Sequence, residues 1–277
     1  MSSIFVPKIT SFFSSTFLRD YPTVDCESPE RVGTIHAATG DLVNFVEPEP
    51  CSEADLTLCH STSLIRSVQR HPEVYEVAAL AAGAAIKAAE LCFEGPTFSM
   101  ARPPGHHAGR DFNGGFCFFN NIAVAVRKLQ SLGKARSALI VDIDLHYGNG
   151  TFDIFKTDEG VAFRNISAGT RHEFLDELNA ALVDASNYDV VACSAGFDTY
   201  IRDWGALLST EDFKTIGNRL ARDHTLDRAN FDAAAVADTQ TGNNMSHGVF
   251  SFGELSLHII SRFHFCARCA KLLQITF

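Results

Sequence analysis

Val141-Asp142-Ile143-Asp144-Leu145-His146-Tyr147-Gly148-Asn149-Gly150-Thr151 is the stretch on which the reading of this chain turns. An unbroken apolar run, Ala138-Leu139-Ile140-Val141, precedes it and has the length of a buried strand. Asp142, Asp144 and His146 follow at i, i+2 and i+4. The period of two along an extended chain puts them on one side at the strand's C-terminal mouth. Open α/β sheets place their ligands at that edge. Two carboxylates and an imidazole form an oxygen-and-nitrogen donor set with room for a solvent ligand, which suits a catalytic metal rather than a structural one.

Outward from this stretch, apolar runs alternate with helical patterns. An Ala-rich helix is predicted over 72–93, with Pro72 in its first turn. A short strand over 97–101 is stopped by Arg102-Pro103-Pro104-Gly105. Asn120 or Asn121 caps a helix running to about Leu132, with Gly133 just past its end. Strands follow over 137–142, 161–166 and 189–194, with a helix over 173–183 between the last two. Ser209 or Thr210 then caps a helix towards Arg222, with Glu211 and Asp212 in its first turn. Such alternation implies a mainly parallel α/β sheet with helices on both faces.

Polar clusters fall just after three of these strands. Gly105-His106-His107 follows the first, Asp144 and His146 the second, and Gly196-Phe197-Asp198 the third. Any one of them is readily a turn or a satisfied polar residue; three at one sheet edge are a site. Asp144, His146 and Asp198 suit Zn²⁺ or Fe²⁺ with an open water position, and such an ion lowers the pKa of its water and polarises a carbonyl. His106 and His107 stand beside that water, one to move its proton and the other to stabilise developing charge. Asp142 is placed to receive a ring N–H from one histidine and Asn149 to orient the other. The chemistry this points to is metal-assisted hydrolysis of an amide.

Four ordered motifs carry a specific resemblance: Arg102-Pro103-Pro104-Gly105-His106-His107-Ala108, Gly115-Phe116-Cys117-Phe118-Phe119-Asn120-Asn121, Asp142 to Thr151, and Ser194-Ala195-Gly196-Phe197-Asp198. Together they resemble the zinc-dependent histone deacetylase and acetylpolyamine amidohydrolase family, from about Phe5 to about Leu220. The resemblance implies a three-layer, arginase-like α/β fold and removal of acetyl or acyl groups from lysine side chains or polyamines. It implies Asp144, His146 and Asp198 as zinc ligands, His107 as general base and His106 as its electrostatic partner. Asp142 would support His106 and Asn149 would support His107. Gly115 and Phe116 would line the tunnel that admits an acetylated amine chain. Cys26-Glu27-Ser28-Pro29-Glu30-Arg31 is similar to the family's early loop and would set Arg31 at an internal channel. The family also binds K⁺ through main-chain oxygens around Asp142, Asp144 and His146.

The chain departs from the family after its last implied ligand. Family members carry a further strand ending in Glu-Gly-Gly-Tyr, whose tyrosine hydroxyl binds the oxyanion. The five tyrosines here are Tyr21, Tyr75, Tyr147, Tyr188 and Tyr200. A strand candidate over 233–237 leads to Thr241, too short to replace a tyrosine, and His247 is poorly spaced for the task. The division expected is a deacetylase-like catalytic domain over 1–228 and a divergent or truncated tail of the same domain over 229–277. Loss of an oxyanion donor typically costs 10²–10³ in turnover, and loss of an interior strand exposes sheet edges. A catalytically impaired remnant that binds metal or acyl ligand without turnover is therefore the competing reading. A two-manganese ureohydrolase needs another aspartate soon after Asp-x-His, where Tyr147, Gly148 and Asn149 stand.

Composition narrows the partners. At 277 residues and 46% hydrophobic the chain can bury a large core, and its charge of -10 without a basic run argues against nucleic acid. Eight scattered cysteines read as reduced thiols of a cytoplasmic protein. Cys266-x-x-Cys269 with His264 is the one zinc-like spacing, weak without a second pair. Phe12, Phe13 and Phe17 are interrupted by serines, so no signal peptide is expected, and the resemblance to a transit peptide yields to a first β-strand. No run approaches the roughly 18 apolar residues of a membrane span.

Overall fold

The computed structural model describes residues 9–40, 42–222 and 271–276. In chain order the elements are β1 (Ile9–Phe12), α1 (Pro29–Thr39), β2 (Val43–Val46), α2 (Glu53–Leu56), α3 (Thr62–Gln69), α4 (Pro72–Leu91), β3 (Thr97–Ala101), α5 (Asn121–Ser131), β4 (Ala138–Asp142), α6 (Asn149–Phe155), β5 (Val161–Asn165), α7 (Arg171–Leu182), β6 (Val190–Ala195), α8 (Thr210–Arg222) and β7 (Lys271–Thr276). All strands described form one sheet in the order β2-β1-β3-β7-β6-β4-β5, and each pairing is parallel.

The connections reverse direction along the sheet. From β2 the chain advances through β3 and β4 to β5, then steps back to β6 and β7. Right-handed crossovers travelling in opposite directions lie on opposite faces. Helices α4, α5 and α6 therefore cover one face, and α1, α7 and α8 the other. The packing agrees: α4 lies on α5, β1, β3 and β7, while α7 lies on α8. Every residue of β3, β4 and β6 is buried, as a strand covered on both faces requires. Helix α4 is Ala-rich because it is enclosed along most of its length, from Val74 to Ala89.

The element boundaries expected from sequence fall within a residue or two for these strands and for α4, α5, α7 and α8. Asn120 accepts the Ala123 amide and caps α5, and Gly133 lies just past its end. Thr170 caps α7 in the same way. The N-terminal strand implied by the resemblance is β1.

Loss of an interior strand, the cost weighed above for a divergent tail, would leave a slot of the sheet open. Strand β7, from within that tail, pairs with β3 on one side and β6 on the other, Leu272 to Thr276 against Thr97 to Ala101 and Lys271 to Ile275 against Val191 to Ala195. It shields both edges and runs to the same edge as β3 and β6. The strand candidate over 233–237, Thr241, His247, His264, Cys266 and Cys269 lie outside the described residues.

A buried ion pair anchors the turn after β3. The Arg102 side chain, 1% exposed, donates from Nε and Nη2 to the two carboxylate oxygens of Glu27, each at 2.8 Å. It also donates to the carbonyls of Phe17, Arg19 and Glu27. Tyr21 donates its hydroxyl to the same carboxylate at 2.7 Å, and its ring lies under the guanidinium. The segment over 17–27 is thereby tied to the root of the His106-His107 loop.

Candidate active site

Strand β4 ends at Asp142, so the strand period does not carry the motif through to His146. Instead, the chain bends and its carboxylates accept amides further along. Asp142 Oδ1 takes the Asp144 amide at 3.1 Å, and Asp144 Oδ1 takes the His146 amide at 2.8 Å. Asp198, after β6, accepts the Leu145 amide at 2.9 Å. Turns, not alternation, bring the donors together.

Donor atoms of Asp144, His146 and Asp198 all lie within 4.8 Å of one another. His146 Nδ1 is 2.7 Å from Asp198 Oδ2 and 3.2 Å from Asp144 Oδ1. The hydrogen bond to Asp144, with the charge of Asp198 behind it, raises the His146 pKa. Burial and then the charge of Asp144 push Asp198 up to about 6. Two crowded carboxylates converging on an imidazole nitrogen are the donor set a divalent cation relieves, so these residues fit Zn²⁺ or Fe²⁺.

The histidine pair faces this set, with ring centroids 4.0 Å apart. His106 Nδ1 donates to Asp142 Oδ2 at 3.0 Å, and its Nε2 lies 3.9 Å from Asp144 Oδ1. Burial disfavours the His106 imidazolium, but the carboxylates of Asp142, Asp144 and Asp198 outweigh it and set its pKa at about 9. His107 Nδ1 donates to Asn149 Oδ1 at 2.7 Å. Burial and the His106 charge push the His107 pKa below its ordinary value, leaving a neutral ring whose Nε2 lone pair is available. One histidine is thus held as an acid and its neighbour as a base.

A cavity joins these groups. Its walls include Gly115, Phe116, Arg31, Asp203 and Trp204 beside the donors and the histidine pair. Gly115 adopts φ +53° and Phe116 φ +66°, and a Cβ on Gly115 would overlap the His107 ring. The glycine therefore allows both the left-handed turn and the close approach of His107. Arg31, on α1, donates Nη1 to the Cys26 carbonyl at 3.0 Å and borders this same cavity. Among the described residues, no tyrosine lines the cavity. Tyr21, Tyr75, Tyr188 and Tyr200 instead pack against Phe118, Phe119, Arg164 and Phe213, and Tyr147 against Phe152 and Phe163.

Sequence reasoning missed two contributors. His60 is buried, donates Nδ1 to the Gly109 carbonyl at 2.8 Å and accepts the Asn120 amide on Nε2 at 2.9 Å. It bridges the His106-His107 loop to the cap of α5. Asn120 Nδ2 holds the Ala108 carbonyl, and the Gly150 and Thr151 amides hold that of His106. A lone histidine before a helix carries no signal of such burial. Trp204, the single tryptophan, was the one overlooked residue with a usable signal, lying near Asp198 in sequence.

The fold and site define a parallel α/β protein with a metal-type donor set beside a carboxylate- and amide-backed histidine pair. Comparison with known proteins agrees. The family model described as "Histone deacetylase domain" matches residues 25–174. A "Probable deacetylase" of Methanothermobacter thermautotrophicus is 31% identical over 227 residues, covering 62% of this chain and 68% of the relative. "Acetylpolyamine amidohydrolase 1" of Pseudomonas aeruginosa is 36% identical over 162 residues, covering 45% of this chain and 46% of that protein. The crystal structure of an acetylpolyamine aminohydrolase from Burkholderia pseudomallei superposes with a TM-score of 0.69 at 21% identity, covering 78% of this chain and 91% of the other. This chain belongs to the histone deacetylase domain family.

Proposed function

We propose that this protein is a metal-dependent amide hydrolase that removes acetyl or other acyl groups from lysine side chains or polyamines. The observation that carries the reading is the paired histidines, one charged against Asp142 and one neutral against Asn149, facing Asp144, His146 and Asp198 across a single cavity. Asp144, His146 and Asp198 would hold Zn²⁺, with Fe²⁺ the alternative. The ion, when bound, polarises the acyl carbonyl and acidifies water. His107 Nε2 takes a proton from the attacking water and returns one to the departing amine. His106 keeps its proton and stabilises the negative charge that develops as the carbonyl is attacked. Asp142 and Asn149 fix the two tautomers through the Nδ1 bonds. Phe116 and Gly115 line the path of the substrate's methylene stem, and Arg31 borders the cavity from α1. K⁺ at main-chain oxygens around Asp142, Asp144 and His146 belongs to the same reading.

Among the described residues no helix is long and apolar enough to cross a membrane. Six described cysteines, among them Cys26, Cys59 and Cys193, carry free thiols, which supports a reducing, cytoplasmic setting.

The absence of any tyrosine after Tyr200 in the sequence, with none lining the cavity among the described residues, favours a second reading, in which the site binds metal or acyl ligand without turnover. One assay separates the two: hydrolysis of a fluorogenic acetyl-lysine peptide and of an acetylpolyamine, with and without added Zn²⁺, and with a hydroxamate control. Zinc-dependent, hydroxamate-sensitive turnover that disappears in His107→Ala is the expected result. A zinc-loaded protein without turnover on either substrate leaves the second reading.

A further inference from the structure

We propose that Trp204 is a positioning residue for His146, holding its imidazole so that Nδ1 is offered to a metal ion shared with Asp144 and Asp198. The inference rests on the reading of those three residues as the metal donors. His146 Nδ1 bonds the carboxylates of Asp198 and Asp144 at 2.7 and 3.2 Å. A nitrogen that binds a metal gives up its proton, so both bonds are lost when the ion arrives. Histidine ligands are ordinarily oriented by a hydrogen bond on their second nitrogen. Among the described residues, His146 Nε2 has no such partner, and the side chain is 45% exposed. What persists on metal binding is ring packing. Trp204 stands edge-to-face against His146, with centroids 5.5 Å apart and planes at 84°. His107 makes the more distant contact at 6.1 Å and 70°.

The backbone that carries Trp204 is held by hydrogen bonds on either side of it. The Trp204 amide donates to Asp203 Oδ1 at 2.7 Å, and the Asp203 amide donates to the Tyr200 carbonyl at 2.8 Å. The next residue, Gly205, donates its amide to the carbonyl of Asp198 at 2.7 Å. The loop that carries the tryptophan therefore closes back on the backbone of the third donor. A loop whose backbone is bonded to one donor, and whose tryptophan ring packs on another, links the positions of the two.

The test is zinc affinity of the full chain, measured by competition with a chromophoric chelator, for the parent, Trp204→Ala and Trp204→Phe. Removing an outer partner of a metal-binding histidine typically weakens binding 10–100-fold, and that loss is expected for Trp204→Ala. Phenylalanine keeps an aromatic edge, so Trp204→Phe should stay within a few-fold of the parent. The parent's sole tryptophan provides a second readout: its fluorescence should change on zinc addition with the midpoint given by the chelator. Equal affinity for the parent and Trp204→Ala overturns the proposal, as does equal weakening by alanine and phenylalanine. Absence of zinc binding by the parent overturns the donor assignment itself, and the parent curve alone reveals it.

Discussion

Acidification should weaken this fold through His60. Both ring nitrogens are used by the neutral imidazole, Nδ1 donating to Gly109 and Nε2 accepting from Asn120. Protonation destroys the second bond and puts a charge in a buried site, and burial pulls the pKa from 6.5 down to about 4. In the unfolded chain His60 titrates near its ordinary value. As pH falls below 6.5 the unfolded state takes up a proton that the native state refuses, so stability falls with pH until about 4. At 1.36 kcal/mol per pH unit, the loss is about 2 kcal/mol at pH 5 and about 3 kcal/mol at pH 4. In a domain of this size, about 2 kcal/mol is roughly 4–8 °C in Tm. The control is His60→Gln, whose amide can donate and accept in the same places but does not titrate. Thermal melts of both proteins at pH 7.5 and pH 5 are the assay, and the parent should lose several degrees more than the variant. A parallel decline in the two would refute the reasoning, whatever their absolute melting temperatures.

Three further outcomes are expected. Gly196→Ala builds a Cβ into the Asp144 carboxylate, so the variant should stay folded by circular dichroism and lose zinc retention in metal analysis after dialysis. Arg102→Met strands the buried carboxylate of Glu27 and should cost about 3–5 kcal/mol in urea unfolding; a loss under 1 kcal/mol would show that water reaches Glu27. Deleting 271–277 uncovers five paired residues on β3 and five on β6. At about 1 kcal/mol for each backbone hydrogen bond lost, this approaches the whole stability of a domain, and the shortened chain should sediment as aggregate.

Parallel strands buried on both faces are mostly apolar runs, and β4 and β6 were legible in sequence for that reason, while β3, with Thr97 and Ser99 in it, was read as a short strand before its stop. Their punctuation was legible too: Asn120 as a cap, and Arg102-Pro103-Pro104-Gly105 as a stop. The fourth and central strand of the sheet was not, because Lys271-Leu272-Leu273-Gln274-Ile275-Thr276 matters only through the slot between β3 and β6 that it fills, and that slot exists only in the assembled sheet.

The same division runs through the candidate site. Residue chemistry and order, with Asp142, Asp144 and His146 after one strand, His106 and His107 after another and Asp198 after a third, were determined by the sequence alone, since side-chain type and strand polarity do not depend on distant contacts. Tertiary structure decided the rest: that turns rather than strand alternation gather the donors, that Asp142 charges His106 while burial and the His106 charge leave His107 neutral, and that Trp204 packs edge-to-face on His146. Those are matters of distance and burial between segments far apart in the chain, and electrostatic effects of that kind arise only once folding has excluded water from between them.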